Sequence, residues 1–144
     1  MQAWVSLVRS HFTLVRALNA QLVSEHGLTI NDYEVLLRLA QSPERRMRRV
    51  DLAESVLLTA SGITRLLDGL EREGFVERAQ CDTDRRVTYA VLTEEGLEKL
   101  REAAETHLGG VQELFAGRYS DEELERLGEL LGRIESGDEG ECVP

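Results

Sequence analysis

The spacing of apolar residues predicts a mostly helical chain. Between Ala3 and Glu25, apolar residues recur at helical intervals and define one broad face, formed by Trp4, Leu7, Val8, Phe12, Val15, Leu18 and Leu22. The pair His26-Gly27 is predicted to end this helix, because glycine often follows the last helical turn. A second helix, capped by Asn31 and running to about Gln41, is predicted to bury Val35, Leu36 and Leu39.

The next segments predict a helix-turn-helix. A short helix is expected to begin at Asp51, because Asp51 and Glu54 have the spacing of a capping box. Thr59 is the predicted N-cap of the following helix, and Gly74 is predicted to end it. Within that helix, the apolar residues recur at the spacing of one helical face: Ile63, Leu66, Leu67 and Leu70. One face therefore packs on a core, and the opposite face is left for other contacts.

After Gly74 the period changes from helical to alternating. Two runs of alternating residues follow, Val76/Arg78/Gln80 and Val87/Tyr89/Val91. Such runs predict two strands. The turn between them, residues 81–86, holds two acidic residues that favour turn geometry and ends on Arg85 and Arg86. The sequence therefore predicts a β-hairpin with adjacent arginines at its tip.

The C-terminal part predicts two further helices and a tail. Thr93 begins a long helix that runs to about Gly117, and a kink or break is expected at Gly109-Gly110, because glycine is unfavourable inside helices. Ser120 and Glu123 have the spacing of a capping box at the start of the last helix. Its apolar stripe comprises Leu124, Leu127, Leu131 and Ile134. Residues 136–144 are rich in glycine and acids and are expected to be disordered.

The charge distribution favours local contacts with nucleic acid. The net charge of −10 argues against an indiscriminate DNA-coating protein. Between Arg38 and Ala90, however, ten arginines face nine acidic residues, whereas the rest of the chain has seven basic and eighteen acidic residues. An acidic body around an arginine-rich module is typical of a protein that binds DNA through one limited surface.

The exposed face of the helix after Thr59 carries Ser61, Thr64 and Arg65. Short hydroxyl side chains and a guanidinium can hydrogen-bond base edges and phosphates, so we expect these residues to contact the major groove. The alternative is an ordinary solvent face on which Arg65 pairs with Asp68. At the hairpin tip, Arg85 and Arg86 suit a narrow minor groove, and the alternative there is a solvated hairpin whose charges only prevent aggregation.

Together these segments resemble the MarR family of bacterial winged-helix transcriptional regulators. The resemblance lies in the order and spacing of several motifs along nearly the whole chain: Leu28-Thr29, Tyr33-Glu34-Val35-Leu36, Asp51-Leu52-Ala53-Glu54, the segment ITRLLDGLEREGFVER, Asp84-Arg85-Arg86 and Leu92-Thr93-Glu94-Glu95-Gly96. It implies that Arg86 enters the minor groove, that Asp84 fixes the Arg86 side chain and that Arg85 meets a phosphate. It also implies a small strand at the arginine-rich segment 45–49, where phosphate contacts remain open.

The resemblance further implies a dimer and an effector. Apolar terminal helices need a partner surface, and a twofold homodimer is the simplest one. Such a dimer would read two half-sites of a near-palindromic operator in double-stranded DNA, about 34 Å apart. Family members commonly bind small aromatic or phenolic anions that loosen DNA binding, and here Trp4, His11 and Tyr33 are candidates for that pocket. For all three residues, an ordinary core or interface role is the alternative.

Other chemistry finds little support in the sequence. Cys81 and Cys142 lack metal-ligand spacing and are expected to be free thiols, with a redox switch at Cys81 as an alternative. His11, His26 and His107 are scattered, and no phosphate-binding glycine loop is present, so we expect neither an enzyme nor a cofactor or metal site. No segment resembles a membrane span, and a cytoplasmic protein is expected.

The sequence thus predicts a mainly α fold with a small β-hairpin wing, in which a winged helix-turn-helix is flanked by N- and C-terminal dimerisation helices. We expect one domain over residues 1–144, with a DNA-binding lobe at 28–92, dimerisation helices at 1–26 and 93–135 and the tail at 136–144. The predicted function is that of a homodimeric DNA-binding regulator, most simply a repressor released by a small aromatic or phenolic ligand. The alternatives are a winged-helix protein-interaction module and a redox-responsive regulator acting through Cys81.

Overall fold

A computed structural model describes residues 1–81 and 83–135. Asp82 of the predicted turn and the predicted tail at 136–144 lie outside the described residues. In chain order, the elements are α1 (Gln2–His26), α2 (Ile30–Gln41), a 3-10 turn (Pro43–Arg45), β1 (Arg46–Arg48), α3 (Arg49–Ser55), α4 (Ala60–Arg72), β2 (Val76–Gln80), β3 (Thr88–Leu92), α5 (Glu94–Phe115) and α6 (Asp121–Glu135).

The fold is mostly helical, with one small antiparallel sheet in the order β1-β3-β2. The predicted hairpin is confirmed, because β2 and β3 pair along their length from Val76↔Leu92 to Gln80↔Thr88. The small strand implied by the resemblance is also present and pairs with the other edge of β3. On β3 the buried side chains are Ala90 and Leu92, so the alternate face, which carries Tyr89, is only half-buried.

The core gathers one face from each helix of the first 110 residues around this sheet. Its fully buried side chains include Leu22, Val35, Leu36, Leu39, Leu52 and Leu67. Each buried leucine contributes about 1.5–3 kcal/mol relative to an exposed one, so this cluster holds α3 and α4 against the sheet. The face of α4 opposite Leu67 is therefore turned toward solvent.

Helix α2 has a different cap from the one predicted. Asn31 lies inside the helix, and Thr29 is the N-cap: its Oγ1 accepts from the Asp32 backbone N–H at 3.1 Å, and the Asp32 carboxylate accepts from the Thr29 backbone N–H at 2.8 Å. This reciprocal box satisfies two backbone donors, whereas a cap at Asn31 would satisfy one. The Ile30 backbone N–H donates to Asn19 of α1 at 2.9 Å, so the cap also joins the two helices.

The predicted capping box of α3 is wrong. The helix begins at Arg49, two residues before Asp51, and its N-cap Arg48 makes no side-chain cap. The Asp51 carboxylate instead accepts two hydrogen bonds from the Arg48 guanidinium, at 2.7 and 2.9 Å, because a charged bidentate partner outcompetes a backbone donor. The caps of α4 are as predicted: the Gly62 backbone N–H donates to Thr59 at 3.1 Å, and Gly74 has a φ of 78°.

Helix α5 does not break at its glycine pair, so of the predicted kink or break the break is wrong. It runs without interruption from Glu94 to Phe115, and Gly110 is buried against α1. A Cβ at Gly110 would collide with the side chain of Gln21, whereas one at Gly109 would meet nothing within 4 Å. Gly110 therefore allows α1 and α5 to approach closely, and this packing offsets the low helix propensity of glycine.

The chain forms two compact units, Met1–Gly110 and the part that begins at Val111. In the second unit, the predicted capping box of α6 is confirmed by hydrogen bonds of 2.8 and 3.2 Å between Ser120 and Glu123. The apolar residues of α6 are largely exposed, with Ile134 at 65 % and Leu130 at 42 %. None of the helices within residues 1–81 and 83–135 has the length and apolar character needed to span a membrane.

Candidate DNA-binding surface

The first part of the candidate surface is the outer face of α4. Burial of Ile63, Leu67 and Leu70 orients this helix, and Ser61, Thr64 and Arg65 are all exposed on the opposite side. The Thr64 hydroxyl donates to the backbone carbonyl of Ala60 at 2.8 Å, which occupies its proton but leaves a lone pair for a base or backbone donor. The Ser61 hydroxyl lies 3.2 Å from that of the cap, Thr59, and it can exchange this contact for another acceptor.

Arg65 is kept available by an ion-pair arrangement that the sequence did not reveal. The pair between Arg65 and Asp68 that was considered as the alternative is not formed. Instead, the Asp68 carboxylate accepts from Arg78 of β2, whose Nε also donates to Glu71 at 2.6 Å. Among the described residues, Arg65 has no ion pair or hydrogen bond through its side chain. Arg78 of β2 thus pairs with both Asp68 and Glu71. The guanidinium of Arg65 is left without a partner among the described residues.

The wing tip is organised through its backbone. The Asp84 carboxylate accepts from the backbone N–H of Arg86 at 2.9 Å, and the Asp84 carbonyl accepts from Val87 N–H at 3.0 Å. Asp84 therefore shapes the turn, whereas the sequence-based expectation was that it fixes the Arg86 side chain. Arg85 and Arg86 are both exposed, and within the described part of the wing their guanidinium groups form no ion pair.

Helix α4, the candidate groove helix, and the β2–β3 hairpin, the candidate wing, meet at one cleft. Its lining combines α3, α4 and the start of β3, and includes Arg49, Thr64, Arg86 and Thr88. Residues 64 and 86 are 22 positions apart, and the hairpin brings them together. The structure therefore unites two of the predicted contact groups on one surface.

The predicted ligand residues are not drawn together in the same way. Tyr33 is buried at 7 % exposure, and its ring centroid lies 4.7 Å from that of His107 of α5. His11 is exposed and contacts Phe12 at 5.8 Å, and Trp4 is 65 % exposed. The partner of Tyr33 is thus His107, which lies 74 positions away and which no local pattern could have indicated.

His107 and Tyr33 share a partly desolvated environment. The buried Nδ1 of His107 has no hydrogen-bond partner among the described residues. Burial lowers the pKa of His107, and the nearby Glu34 carboxylate opposes this shift. Burial also raises the pKa of Tyr33, and Glu34 adds to that rise. Both rings are therefore kept neutral, as expected of a polar pair at the edge of a core.

Cys81 lies at the end of β2, half-buried, with its Sγ 3.1 Å from Thr83 Oγ1. The described residues contain no group of three or more histidine, cysteine, aspartate or glutamate side chains placed to hold a metal ion. The hydroxyl contact and the partial burial of Cys81 are ordinary features of a strand end. A redox role for Cys81 accordingly stays a prediction.

Comparison with known proteins identifies the family. A sequence model of the MarR family matches residues 28–88, which run from α2 through α3, α4 and β2 to the start of β3. Over 135 residues, the chain is 32 % identical to the HTH-type transcriptional repressor YetL of Bacillus subtilis, covering 90 % of this chain and 79 % of YetL. This chain belongs to the MarR family.

Solved MarR structures show the same fold. Sco3205, a MarR family transcriptional regulator from Streptomyces coelicolor solved in complex with DNA, is 33 % identical, has a TM-score of 0.85 and is covered to 85 %, with 94 % of this chain matched. CouR from Rhodococcus jostii RHA1, solved bound to p-coumaroyl-CoA, is 28 % identical with a TM-score of 0.74, covering 89 % of this chain and 87 % of CouR. The protein is therefore a MarR-family DNA-binding transcriptional regulator, and its family consists of regulators rather than enzymes.

Proposed function

We propose that this MarR-family chain acts as a homodimeric repressor that binds a near-palindromic operator and is released by a small aromatic or phenolic anion. The observation that carries the proposal is the cleft that brings Thr64 of α4 together with Arg86 of the wing, with the exposed Arg65 on the same face of α4 making no ion pair among the described residues. Side chains without protein partners lose no internal contact when they meet DNA. Membership of the MarR family supports double-stranded DNA as the partner of these side chains.

The proposed contacts divide between the two grooves. Ser61, Thr64 and Arg65 read base edges in the major groove, where arginine can donate two hydrogen bonds to guanine. Arg86 enters the adjacent minor groove, whose negative potential attracts arginine where the groove is narrow. Asp84 holds the backbone from which Arg86 projects, and Arg85 binds a phosphate. Base contacts would specify the operator, and phosphate contacts would set the register.

The dimer is proposed from apolar surface that the chain leaves uncovered. On α1, Trp4 and Phe12 are 65 % and 68 % exposed, and on α6 Ile134 is 65 % exposed. Large exposed apolar side chains grouped on helices mark interaction surfaces. A second copy of the chain supplies a matching apolar surface by twofold symmetry and doubles the number of groove helices.

Repression is proposed from the similarity to YetL, a transcriptional repressor. A dimer seated on a promoter would exclude other proteins from the same DNA, so binding alone suffices for repression. The proposal requires no catalytic or recruiting activity. A protein-interaction module would not need exposed arginines, without ion pairs among the described residues, on both α4 and the wing.

The ligand proposal places an aromatic anion near Tyr33, with Trp4 and His11 as further candidates. Its support is the bound p-coumaroyl-CoA in CouR and, in this chain, the Tyr33–His107 ring pair with an unpartnered ring nitrogen. The ligand must bind one arrangement of the two groove helices more tightly than the other, because equal affinity shifts no equilibrium.

The binding proposal is tested by fluorescence anisotropy with DNA from the region upstream of the protein's own gene. Operator affinity should fall with salt at a log-log slope of roughly −0.9 per phosphate contacted, and shuffled DNA should bind far more weakly. Equal affinity for shuffled DNA at moderate salt, or salt-insensitive binding, contradicts the proposal. A reporter fused to the bound promoter should rise on deletion of the gene, and a fall would indicate an activator.

The ligand proposal is tested by titrating salicylate-like and cinnamate-like anions with and without operator. Linkage requires operator DNA to weaken ligand binding by the factor by which ligand weakens DNA binding. Tyr33→Ala should alter that response more than basal DNA affinity. Release by peroxide instead, abolished in Cys81→Ser, would replace the ligand proposal with the redox alternative.

A further inference from the structure

Four arginines surround Met47 between the 3-10 turn and the first residue of α3, and three of them are held by acidic partners. Arg45 donates to Glu94 at 2.6 Å, and Arg46 pairs with Glu44 at 2.7 Å. Arg48 makes the bidentate pair with Asp51. These three guanidinium groups would have to give up or share short ion pairs in order to bind another anion.

Arg49 differs from its three neighbours. Its side chain forms no ion pair among the described residues, and its Nη2 is buried without a hydrogen-bond partner. A charged N–H group buried without an acceptor is unfavourable, because it has lost water and gained nothing in exchange. Moving this guanidinium toward an external anion therefore costs less than moving any of the other three.

The position of Arg49 indicates which anion it meets. Arg49 is the first residue of α3 and lines the cleft between Thr64 of the groove helix and Arg86 of the wing. If α4 occupies the major groove and the wing occupies the neighbouring minor groove, the sugar–phosphate strand that separates these grooves must pass between them. That strand runs over the cleft.

The charge of the cleft suits this strand. Arg48, Arg49 and Arg86 line it together with Glu54, the one acidic residue among its described lining residues. Because Arg48 is paired with Asp51, the balance rests on Arg49 and Arg86 against Glu54, which leaves the cleft with a net positive charge. Arg49 and Arg86 are thus the two lining cations without an ion pair among the described residues, and of these Arg49 lies at the start of α3, whereas Arg86 lies at the wing tip proposed for the minor groove.

We propose that Arg49 binds a backbone phosphodiester of the operator in the cleft between α4 and the wing. Arg45, Arg46 and Arg48 keep their ion pairs within the protein instead. The inference rests on the proposed placement of α4 and the wing in adjacent grooves. A phosphate oxygen supplies the acceptor that the Arg49 guanidinium lacks in the free protein. The contact carries no base information, so it supports operator and non-operator DNA equally.

The experiment compares Arg49→Gln with Arg46→Gln as the matched control, each in the full chain, on operator and shuffled DNA over a salt series. Arg49→Gln should weaken binding to both DNAs by a similar factor, at least about tenfold at moderate salt. Its log-log salt slope should be shallower by about 0.9 for each Arg49 removed, whereas Arg46→Gln should keep the parental slope. Thermal melts of both variants report folding.

A methylphosphonate scan identifies the phosphate. Replacing one charged phosphate per half-site with a neutral methylphosphonate should weaken the parent, and at one position the substitution should cause no further loss in Arg49→Gln. If Arg49→Gln does not fold, the same scan is run on Arg49→Lys. The affinity lost on methylphosphonate substitution should then differ from the parent's at that single phosphate only.

Three outcomes overturn the proposal: an unchanged salt slope in Arg49→Gln, a loss confined to operator DNA, or equal losses for Arg46→Gln. If the parent protein binds no DNA in a salt-dependent way, the proposed placement of α4 and the wing fails first. That result is distinguishable, because it appears before any variant is compared.

Discussion

Arg78 shows how one strand residue can decide what a groove helix offers to DNA. It forms ion pairs with Asp68 and Glu71, so the guanidinium of a β2 residue compensates the charge of both acids beside the exposed face of α4. Asp68 lies three residues after Arg65 on the same helix, at the spacing at which opposite charges pair. Without Arg78, the Asp68 carboxylate would be available to Arg65. Arg78 is therefore a positioning residue for the candidate surface.

Arg78→Gln should lower operator affinity several-fold, because Asp68 is then free to pair with Arg65 and to repel phosphates. Asp68→Asn in the same chain should restore much of the loss, since it removes the competing carboxylate. Anisotropy titrations of the single and double variants measure the effect, and circular dichroism checks the fold. A double variant as weak as Arg78→Gln would show that Arg78 acts by stabilising the hairpin alone.

Arg86 and Asp84 give a second residue-scale prediction. Arg86→Ala should weaken operator binding and leave the free energy of unfolding within about 0.5 kcal/mol, because an exposed tip side chain contributes little to the fold. Asp84→Ala should weaken binding in part, since it removes the acceptor of the Arg86 backbone N–H. Parental affinity in Arg86→Ala would remove the wing from DNA recognition.

His107 predicts a pH dependence of stability. Burial lowers its pKa in the folded protein, so the unfolded chain takes up a proton more readily as the pH falls below about 6.5. The free energy of unfolding therefore decreases as the pH falls. It should decrease less between pH 7 and pH 5 in His107→Asn than in the parent. Urea denaturation at both pH values tests this, with the exposed His11→Asn as control. An equal loss in all three proteins contradicts the prediction.

At the scale of elements, α5 contains a natural matched pair in Gly109 and Gly110. Gly109→Ala should stabilise the protein by about 1 kcal/mol, because alanine has the higher helix propensity and its Cβ meets no neighbour within 4 Å. Gly110→Ala should be less stable than Gly109→Ala despite the same gain in propensity, because its Cβ would displace the end of the Gln21 side chain and lie only 3.1 Å from Leu18 of α1. Thermal unfolding of the two variants gives the comparison, and equal effects would contradict the close approach of α1 and α5.

The local ends of the elements were largely readable from the sequence. Thr59, Gly74 and Ser120 were predicted correctly, because their hydrogen bonds or backbone angles involve residues at most three positions away. Asp51 was predicted wrongly, because the Arg48 side chain captured its carboxylate. Asn31 was wrong because Thr29 and Asp32 form a reciprocal cap two residues earlier.

At the scale of the whole molecule, exposed apolar side chains predict assembly. Ile134 is 65 % exposed, so Ile134→Asp removes no buried packing from an isolated chain. In the proposed homodimer the new carboxylate would be buried at the interface, and the dimer should dissociate or weaken at least about tenfold. Sedimentation equilibrium of the parent and the variant measures this, with Arg133→Gln, which changes the net charge by the same amount, as the control on the same helix. A monomeric parent that binds the near-palindromic operator with full affinity would contradict the dimer.

The sequence by itself determined the order of elements, the two faces of α4 and the hairpin, because apolar periodicity and turn residues act over a few positions. The MarR resemblance followed from the same local motifs. Only the tertiary structure decided which arginines are occupied: Arg78 reaches Asp68 across ten positions and leaves Arg65 unengaged. It also paired Tyr33 with His107 and left the Nη2 of Arg49 without an acceptor among the described residues. Such pairings depend on which distant side chains the packed core brings within a few ångströms, and no local pattern encodes that distance.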